Sequence, residues 1–236
     1  MKDGWIVYNK SSENMSEVKS RSVDLIVVSP PYNIGTVYGD NMDRMSIEKY
    51  YEMMKSIMAE CERVLQPEGR LLMDPADSVL MNGEKGMVYV QLAGMFQKMA
   101  LDAGLFLHER HINFLHTESG VELPEDDRWL KMYMTDVSAH SNCHQWLVFS
   151  KKERPFIGGE IFYLNFKETL AHPCPFPDTV CEKFLDMYFR PGNTVLEPFM
   201  GTAKLGCHVL RRGGRYIGYE IDKRIYNYAV QQLASL

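Results

Sequence analysis

The stretch at 23–35, VDLIVVSPPYNIG, constrains the fold of this chain more than any other segment. Residues 23–28 are apolar apart from Asp24, which is typical of a strand buried on both faces of a parallel sheet. Two prolines follow, and proline ends a strand because it lacks the amide hydrogen that a sheet ladder requires. The sequence therefore predicts a buried strand at 23–28 that stops in a rigid turn carrying Tyr32.

Strands and helices alternate along the rest of the chain. Hydrophobic periodicity and turn residues predict further strands at 5–9, 70–74, 105–115, 144–152, 194–199 and 215–221, and helices at 46–65, 87–103, 178–189 and 223–233. One more helix is expected to follow the glycine turn at 200–206 and to end at Arg212, and QPEG at 66–69 is expected to end the first helix. This alternation predicts an α/β fold with a doubly wound, mostly parallel sheet.

Length and composition narrow the class of protein. The 236 residues suffice for one large domain, 1–236, and no apolar run reaches the length needed to cross a membrane. The first residues lack a secretory signal pattern, so we expect a cytoplasmic protein. The five cysteines are scattered without a CxxC pair, which argues against a disulfide framework and a zinc knuckle.

The net charge of −5 gives no overall attraction to nucleic acid, so a polyanion would need a local basic face. Two clusters are candidates, one of Lys151, Lys152 and Arg154 and one of Arg211, Arg212 and Arg215. Taken alone, each cluster is more typical of a solvated surface.

Two pairs of histidines have spacings found among metal ligands. His108 and His111 lie three residues apart, and His140 and His144 lie four apart with Cys143 between them. A metal site would need a helix to bring such pairs together, and both pairs fall in strand-like sequence. We therefore predict no metal site.

A glycine turn lies between a predicted strand and helix in TVLEPFMGTAKLGCHVL at 194–210. Glycine lets the backbone approach a ligand closely, and Glu220, at the end of the next strand, can accept both hydroxyls of a ribose. Ligands bind at the carboxyl ends of strands in an open parallel sheet, so the two features indicate a nucleoside pocket. A tight turn followed by a chance acid is the alternative on these residues alone.

The turn after the first buried strand is a second candidate site. Ser29 and the carbonyls of the prolines can accept hydrogen bonds, and Tyr32 offers a flat aromatic face. Acceptors beside a stacking ring suit a planar base with an exocyclic amino group. A strand terminator with a packed tyrosine explains these residues equally well when they are taken alone.

Five blocks of sequence resemble the amino-group DNA methyltransferases that use S-adenosyl-L-methionine, and more closely their permuted class, in which the catalytic motif precedes the cofactor loop. The blocks are VDLIVVSPPYNIG at 23–35, ERVLQPEGRLL at 62–72, HQWLVFSKK at 144–152, HPCPFP at 172–177 and VLEPFMGTAKLG at 195–206. They follow one another in the order of that class over nearly the whole chain. The resemblance implies a Rossmann-like methyltransferase fold, DNA as substrate and S-adenosyl-L-methionine as cofactor.

The resemblance also assigns roles to residues. Ser29, Pro30, Pro31 and Tyr32 would receive a base flipped out of the duplex: the Ser29 side chain and the Pro30 carbonyl accept its amino hydrogens, and Tyr32 stacks on its ring. The implied cofactor-binding residues are His172, Pro173, Phe176, Pro177, Glu197, Phe199, Gly201, Thr202 and Glu220, the last of them on the ribose. Serine at the head of the motif favours cytosine N4 over adenine N6.

The chain departs from the family pattern at two places. The family loop reads DPFxGSGTT, whereas this chain has Glu197 for the acid and Thr202, Ala203 and Lys204 where serine, glycine and threonine are expected. Asn9 and Lys10 stand where the family has Gly-Asp after the first strand. Only 116–137 and 152–170 are left for target-recognition insertions, so the resemblance implies help in DNA binding from a homodimer or a partner subunit.

Two other functions fit part of the sequence. Related methyltransferases that modify protein glutamine or RNA also use PPY loops, although they usually place the cofactor loop first. An inactive cofactor-binding subunit would explain the altered GTAKLG segment at 201–206 but not the intact SPPY.

Overall fold

The computed structural model describes residues 4–38, 40–76, 78–83, 86–117, 143–166 and 178–236. The helices are α1 (Ile47–Val64), α2 (Leu92–Asp102), α3 (Asp178–Tyr188), α4 (Lys204–Arg211) and α5 (Lys223–Ala234). The strands are β1 (Trp5–Tyr8), β2 (Val23–Val28), β3 (Val37–Tyr38), β4 (Asn41–Met42), β5 (Leu65–Met73), β6 (Ser78–Gly83), β7 (Gly86–Gln91), β8 (Phe106–Thr117), β9 (Cys143–Ser150), β10 (Ile161–Phe166), β11 (Thr194–Glu197) and β12 (Arg215–Tyr219).

A central sheet of eight strands has the order β1-β12-β11-β2-β5-β9-β8-β10. Its neighbours pair parallel except β9, which is antiparallel to both β5 and β8. From β2 the chain passes through α1 to β5 on one side, and from β11 it passes through α4 to β12 on the other. The adjacent strands β2 and β11 therefore mark the switch in strand order, where open α/β sheets bind their ligands.

The core lies on both faces of this sheet, as the apolar run at 23–28 predicts. Ile26 and Val28 belong to the cluster that packs against α1 and α2, whereas Leu25 and Val27 belong to the cluster against α3, α4 and α5. All four side chains are almost fully buried. Each such burial contributes about 1.5–3 kcal/mol relative to exposure, so β2 is a central support of the fold.

The predicted helix at 87–103 is wrong in its first part. Residues 86–91 form β7, which pairs antiparallel with β6, and the helix begins at Leu92. Val88 and Val90 are β-branched and favour a strand, and the preceding β6 supplies a partner that periodicity within one segment does not reveal.

The predicted end of α1 is also corrected. The chain passes from Val64 directly into β5, so QPEG at 66–69 lies inside the strand rather than between a helix and a strand. The pairing of β5 with β2 shifts register between Val23 and Leu25, which accommodates Pro67 at the start of the strand.

The two predicted recognition insertions lie partly outside the described residues. Of 116–137, only residues 116–117 are described, at the end of β8, and of 152–170 the structure describes 152–166. Within the latter, residues 161–166 form the edge strand β10, parallel to β8. In the described part of the chain no helix is both long and apolar enough to span a bilayer.

Candidate active site

Three loops at the carboxyl ends of β2, β11 and β12 line one cavity of about 300 Å³. It lies at the switch in strand order, where the chain leaves β2 and β11 in opposite directions. All the predicted site residues that fall in the described part of the chain line this cavity: Ser29, Pro30, Pro31, Tyr32, Glu197, Phe199, Gly201, Thr202 and Glu220. The predicted cofactor residues His172, Pro173, Phe176 and Pro177 lie outside the described residues.

The SPPY loop follows β2 directly into the cavity wall. Tyr32 is 8% exposed and packs in the core, with its hydroxyl 3.5 Å from the Asp74 carbonyl. The tyrosine is thus part of a packed wall as well as an edge of the cavity. The packing agrees with the interpretation of the loop as a strand terminator with a packed tyrosine, and the stacking role stays a prediction.

Asn33 fastens the end of the SPPY loop. It adopts the left-handed conformation, with φ of 60°, which asparagine tolerates better than most residues. Its side chain donates to the Met45 carbonyl at 2.8 Å and accepts from the Met45 backbone amide at 2.7 Å. Its backbone amide donates to Asp43 Oδ2 at 3.1 Å. These bonds hold the loop against the segment that leads into α1.

The hairpin β3–β4 connects the two halves of the site. At one end, Asp43 Oδ2 accepts the Asn33 amide. At the other, the Asp40 amide and the Asn41 side chain donate to Asp222 Oδ2, at 2.8 and 3.1 Å. Asp222 also caps α5 through Oδ1. One hairpin therefore bridges the SPPY loop and the loop after β12, and its residues Tyr38, Asn41 and Met42 line the cavity.

The glycine turn retains a left-handed backbone conformation at the position where the family pattern has glycine. Ala203, which replaces that glycine, has φ of 57° and ψ of 32° and is fully buried before α4. Gly201 also has a positive φ of 51°. An alanine in this region is strained by roughly 1–2 kcal/mol, so the surrounding packing holds the turn in shape.

Helix α4 approaches the sheet closely because Gly206 has no side chain. A Cβ at this position would lie 2.6 Å from the ring of Tyr216 on β12. Gly206, in the first turn of α4, therefore allows close packing of the helix against the strand, and the Tyr216 ring fills the space beside it.

Glu197, at the end of β11, is buried and forms part of the cavity wall. It accepts a 2.5 Å hydrogen bond from the Tyr216 hydroxyl. Burial raises the pKa of Glu197 to about 8, although the bond from Tyr216 opposes the shift. The carboxyl group is therefore poised to titrate near neutral pH.

Glu220 follows β12 and lies on the opposite side of the turn. Its Oε1 accepts the Asp222 amide at 2.7 Å, and burial raises its pKa to about 7. Asn9 donates its side-chain amide to the carbonyls of Glu220 and Ile221, at 2.9 and 3.1 Å. Asn9, which departs from the family pattern, thus fixes the backbone that carries Glu220.

A cationic ligand would favour the ionised forms of two carboxyl groups that line the cavity. Its lining lysines are both engaged, Lys10 with Glu17 at 2.7 Å and Lys204 with Asp178 at 3.4 Å. The lining carboxyl groups of Glu197 and Glu220 have no ion pair among the described residues. A bound cation would lower the pKa of each carboxyl group toward its usual value.

The basic clusters considered for nucleic-acid binding are partly paired with acidic side chains. Lys151 pairs with Glu62 at 2.8 Å, and Glu68 pairs with both Lys152 and Arg154. In the second cluster, Arg212 pairs with Asp186 at 2.6 Å. The described residues also contain no group of three or more metal-ligating side chains, and His108 and His111 lie on strand β8.

Sequence reasoning missed the residues that the loop after β1, the hairpin β3–β4 and the start of α1 bring to the cavity. They include Ser11, Ser12, Tyr38, Asn41, Met42, Asp43, Met45 and Met53. None belongs to a motif with its own chemical signature. The one available signal was the acid Asp43 between two short polar segments, and its contact with Asn33 depends on the hairpin.

A family model for DNA methylases, N6_N4_Mtase, matches residues 23–231. The chain belongs to this DNA methylase family. It is a DNA amino-methyltransferase, and the match includes both the SPPY loop and the glycine turn. The sequence-level resemblance to amino-group DNA methyltransferases is confirmed.

Relatives of this methylase match it over almost its whole length. The type II methyltransferase M.HpaI of Haemophilus parainfluenzae is 24% identical over 99% of this chain and 75% of its own. The DNA adenine methyltransferase YhdJ of Escherichia coli K12 is 23% identical over 97% of this chain and 82% of its own.

Solved structures of similar fold bear out the predicted architecture. The cytosine-N4-specific PvuII DNA methyltransferase superposes with a TM-score of 0.69 at 18% identity, covering 99% of this chain and 94% of its own. The complex of M1.HpyAVI with S-adenosyl-L-methionine gives 0.63 at 14% identity, covering 97% and 98%. The methylase therefore has the predicted mostly parallel, Rossmann-like methyltransferase fold.

Proposed function

We propose that this methylase transfers the methyl group of S-adenosyl-L-methionine to the exocyclic amino group of a base flipped out of DNA, with cytosine N4 as the acceptor. The observation that carries the proposal is the single cavity lined by both the SPPY loop and the turn at 197–202. A methyl acceptor and a methyl donor must meet in one enclosed space for an in-line displacement.

The volume and the lining residues of the cavity support binding of the cofactor. Its volume of about 300 Å³ is within the range of small-molecule sites. The glycine turn lets the backbone approach a ligand, and Glu220 would offer carboxylate oxygens to the ribose hydroxyls. Glu197 lies on the methionine side, where the positive charge of a bound sulfonium would favour its ionised form. When bound, the cofactor supplies an electrophilic methyl group on a sulfonium.

The residues of the SPPY loop would orient the acceptor. The Ser29 hydroxyl and the Pro30 carbonyl accept the two amino hydrogens, which keeps electron density on the nitrogen as it attacks. The nitrogen would bond the methyl carbon as the bond from that carbon to sulfur breaks, with a neutral thioether as the leaving group, and the amino group would release one proton to solvent. Tyr32 would stack on the flipped ring and hold it in plane.

The preference for cytosine rests on Ser29 at the head of the motif. A hydroxyl accepts a hydrogen bond from an amino group without placing a carboxylate beside the base. A structural neighbour of this methylase is named as cytosine-N4-specific, whereas one relative is named as an adenine methyltransferase. The assignment to cytosine N4 is therefore the part of the proposal that needs a product analysis.

DNA recognition would involve a second copy of the chain or a partner subunit. The net charge is −5, and the described basic clusters are mostly engaged by acids. Segments 116–137 and 152–170 would contribute the sequence-reading contacts. Sedimentation of the protein with and without duplex DNA tests this part, since a monomer on DNA would contradict it.

Radiolabelled S-adenosyl-L-methionine offered separately with DNA, RNA and protein tests the proposed substrate. We expect label in DNA alone. Label in RNA or protein but not DNA would overturn the proposal, and cofactor binding without transfer to any of them would indicate a subunit without activity.

A further inference from the structure

The two proline carbonyls of the SPPY loop differ in their partners. The Pro31 carbonyl accepts a 2.7 Å hydrogen bond from the hydroxyl of Tyr50 on α1. The Pro30 carbonyl has no hydrogen-bond partner among the described residues, although Pro30 is buried and lines the cavity. The carbonyl of a buried residue that has no protein partner is suited to accept a hydrogen bond from a ligand.

Tyr50 is held where it can only donate to Pro31. It is 1% exposed in the core cluster on the α1 face, with its ring edge-on to Phe96 at 6.5 Å. Burial and the negative charge of Asp43 raise the pKa of Tyr50 well above 10, so the hydroxyl keeps its proton at all working pH values.

The bond from Tyr50 fixes more than one peptide group. Proline restricts φ to about −65°, and successive carbonyls of such an extended segment point to different sides of the chain. Drawing the Pro31 carbonyl toward α1 therefore leaves the Pro30 carbonyl on another side. Two residues further on, the bonds of Asn33 to Asp43 and Met45 prevent the loop from rotating as a unit.

We propose that Tyr50 is a positioning residue for methyl transfer, which holds the Pro31 carbonyl so that the Pro30 carbonyl is presented to the target amino group. The inference rests on the proposed function of the SPPY loop. Tyr50 itself does not line the cavity. The residues proposed to bind the cofactor, the turn at 197–202 and Glu220, follow strands β11 and β12 rather than β2. Loss of the Tyr50 hydroxyl should therefore slow transfer without weakening cofactor binding.

The test compares Tyr50→Phe with Tyr51→Phe. Both variants remove one phenolic hydroxyl from adjacent residues of α1, but the Tyr51 hydroxyl makes no hydrogen bond among the described residues. We expect Tyr50→Phe to lower kcat for DNA methylation about five- to tenfold at saturating cofactor, because the Pro30 carbonyl would be held less firmly against the amino group in the transition state. The Kd for S-adenosylhomocysteine, measured by calorimetry, should stay within about twofold of the wild-type value.

Tyr51→Phe should match the wild type in both measurements. Unchanged kcat in Tyr50→Phe would overturn the inference. The hydroxyl would then contribute only to stability, and the thermal midpoint of the Tyr50→Phe variant would be lowered. A rise in Kd in step with the fall in kcat would also overturn it, since the whole site would be disturbed. Failure of the proposed function is distinct, because the wild type itself would then transfer no methyl group to DNA.

Discussion

The hydroxyl of Tyr216 donates a 2.5 Å hydrogen bond to Glu197 Oε2, and both side chains are buried beneath the glycine turn. Glu197, at the start of the turn, is thus held by a residue of β12, the strand that follows α4. This contact links the wall of the cavity to the core between α4 and the sheet. It also makes the stability of the protein depend on the ionisation of one carboxyl group.

Replacement of Glu197 by glutamine should change the pH dependence of stability. The folded-state pKa is about 8, above the value of about 4.5 for an exposed glutamate, so this group stabilises the fold most below pH 4.5. That contribution is lost as the pH rises through 8. Glutamine keeps an oxygen that can accept the hydrogen bond from Tyr216, and it cannot ionise. As the pH rises from 5.5 to 8.5, the free energy of unfolding of Glu197→Gln should therefore increase relative to that of the wild type by on the order of 3 kcal/mol. Urea denaturation at the two pH values measures this, and an equal difference at both would contradict it.

The left-handed conformation of Ala203 should decide which residues its position accepts. Ala203→Gly relieves strain and loses one buried methyl group, so the free energy of unfolding should change by less than about 1 kcal/mol. Ala203→Val places a β-branched side chain at positive φ in a packed site and should destabilise by about 2 kcal/mol or more. Thermal denaturation of both variants provides the comparison. Equal stability of the two would show that the turn does not need this backbone conformation.

Asp222 should couple the hairpin β3–β4 to the end of β12. Asp222→Ser retains an oxygen for the cap of α5 but lacks the second oxygen that binds Asp40 and Asn41. We expect little loss of stability and faster amide hydrogen exchange at Asp40. Asp222→Ala, which also loses the cap, should cost about 1 kcal/mol more. Unchanged exchange at Asp40 in the serine variant would mean that the hairpin is held by other contacts.

Methyl transfer to DNA should require the flat ring of Tyr32. Tyr32→Leu keeps apolar volume in the core wall but removes the stacking face, so transfer to DNA should fall at least tenfold, whereas binding of S-adenosylhomocysteine should be retained. Tyr32→Phe keeps the ring and should lose much less. Equal transfer by the leucine variant and the wild type would exclude a stacking role.

The parts of the site that sequence predicts are those that depend on strand order. A continuous apolar strand at 23–28 and a glycine turn after β11 both mark the ends of buried parallel strands, and such ends meet at one edge of a sheet. That rule alone brings Ser29 and Glu220 to the same cavity. The hydrogen bonds and the packing around these two residues are seen only in the structure.

The parts that sequence does not predict depend on contacts between distant segments. Periodicity places residues 87–91 in a helix, because their pairing with β6 is invisible within one window of sequence. Tyr50 and Asp43 carry no motif, and they reach the SPPY loop only once α1 and the hairpin have packed. The left-handed Ala203 is likewise set by packing, since its intrinsic preference is for other conformations.

Product analysis tests the central claim most directly. Duplex DNA is incubated with the wild-type protein and methyl-labelled S-adenosyl-L-methionine, digested to nucleosides and separated by chromatography. The account predicts that the label elutes as N4-methylcytidine in its deoxy form. Label in N6-methyladenine would contradict the assignment of the base, and labelled C5-methylcytosine or unlabelled DNA would contradict amino-group transfer at the SPPY loop.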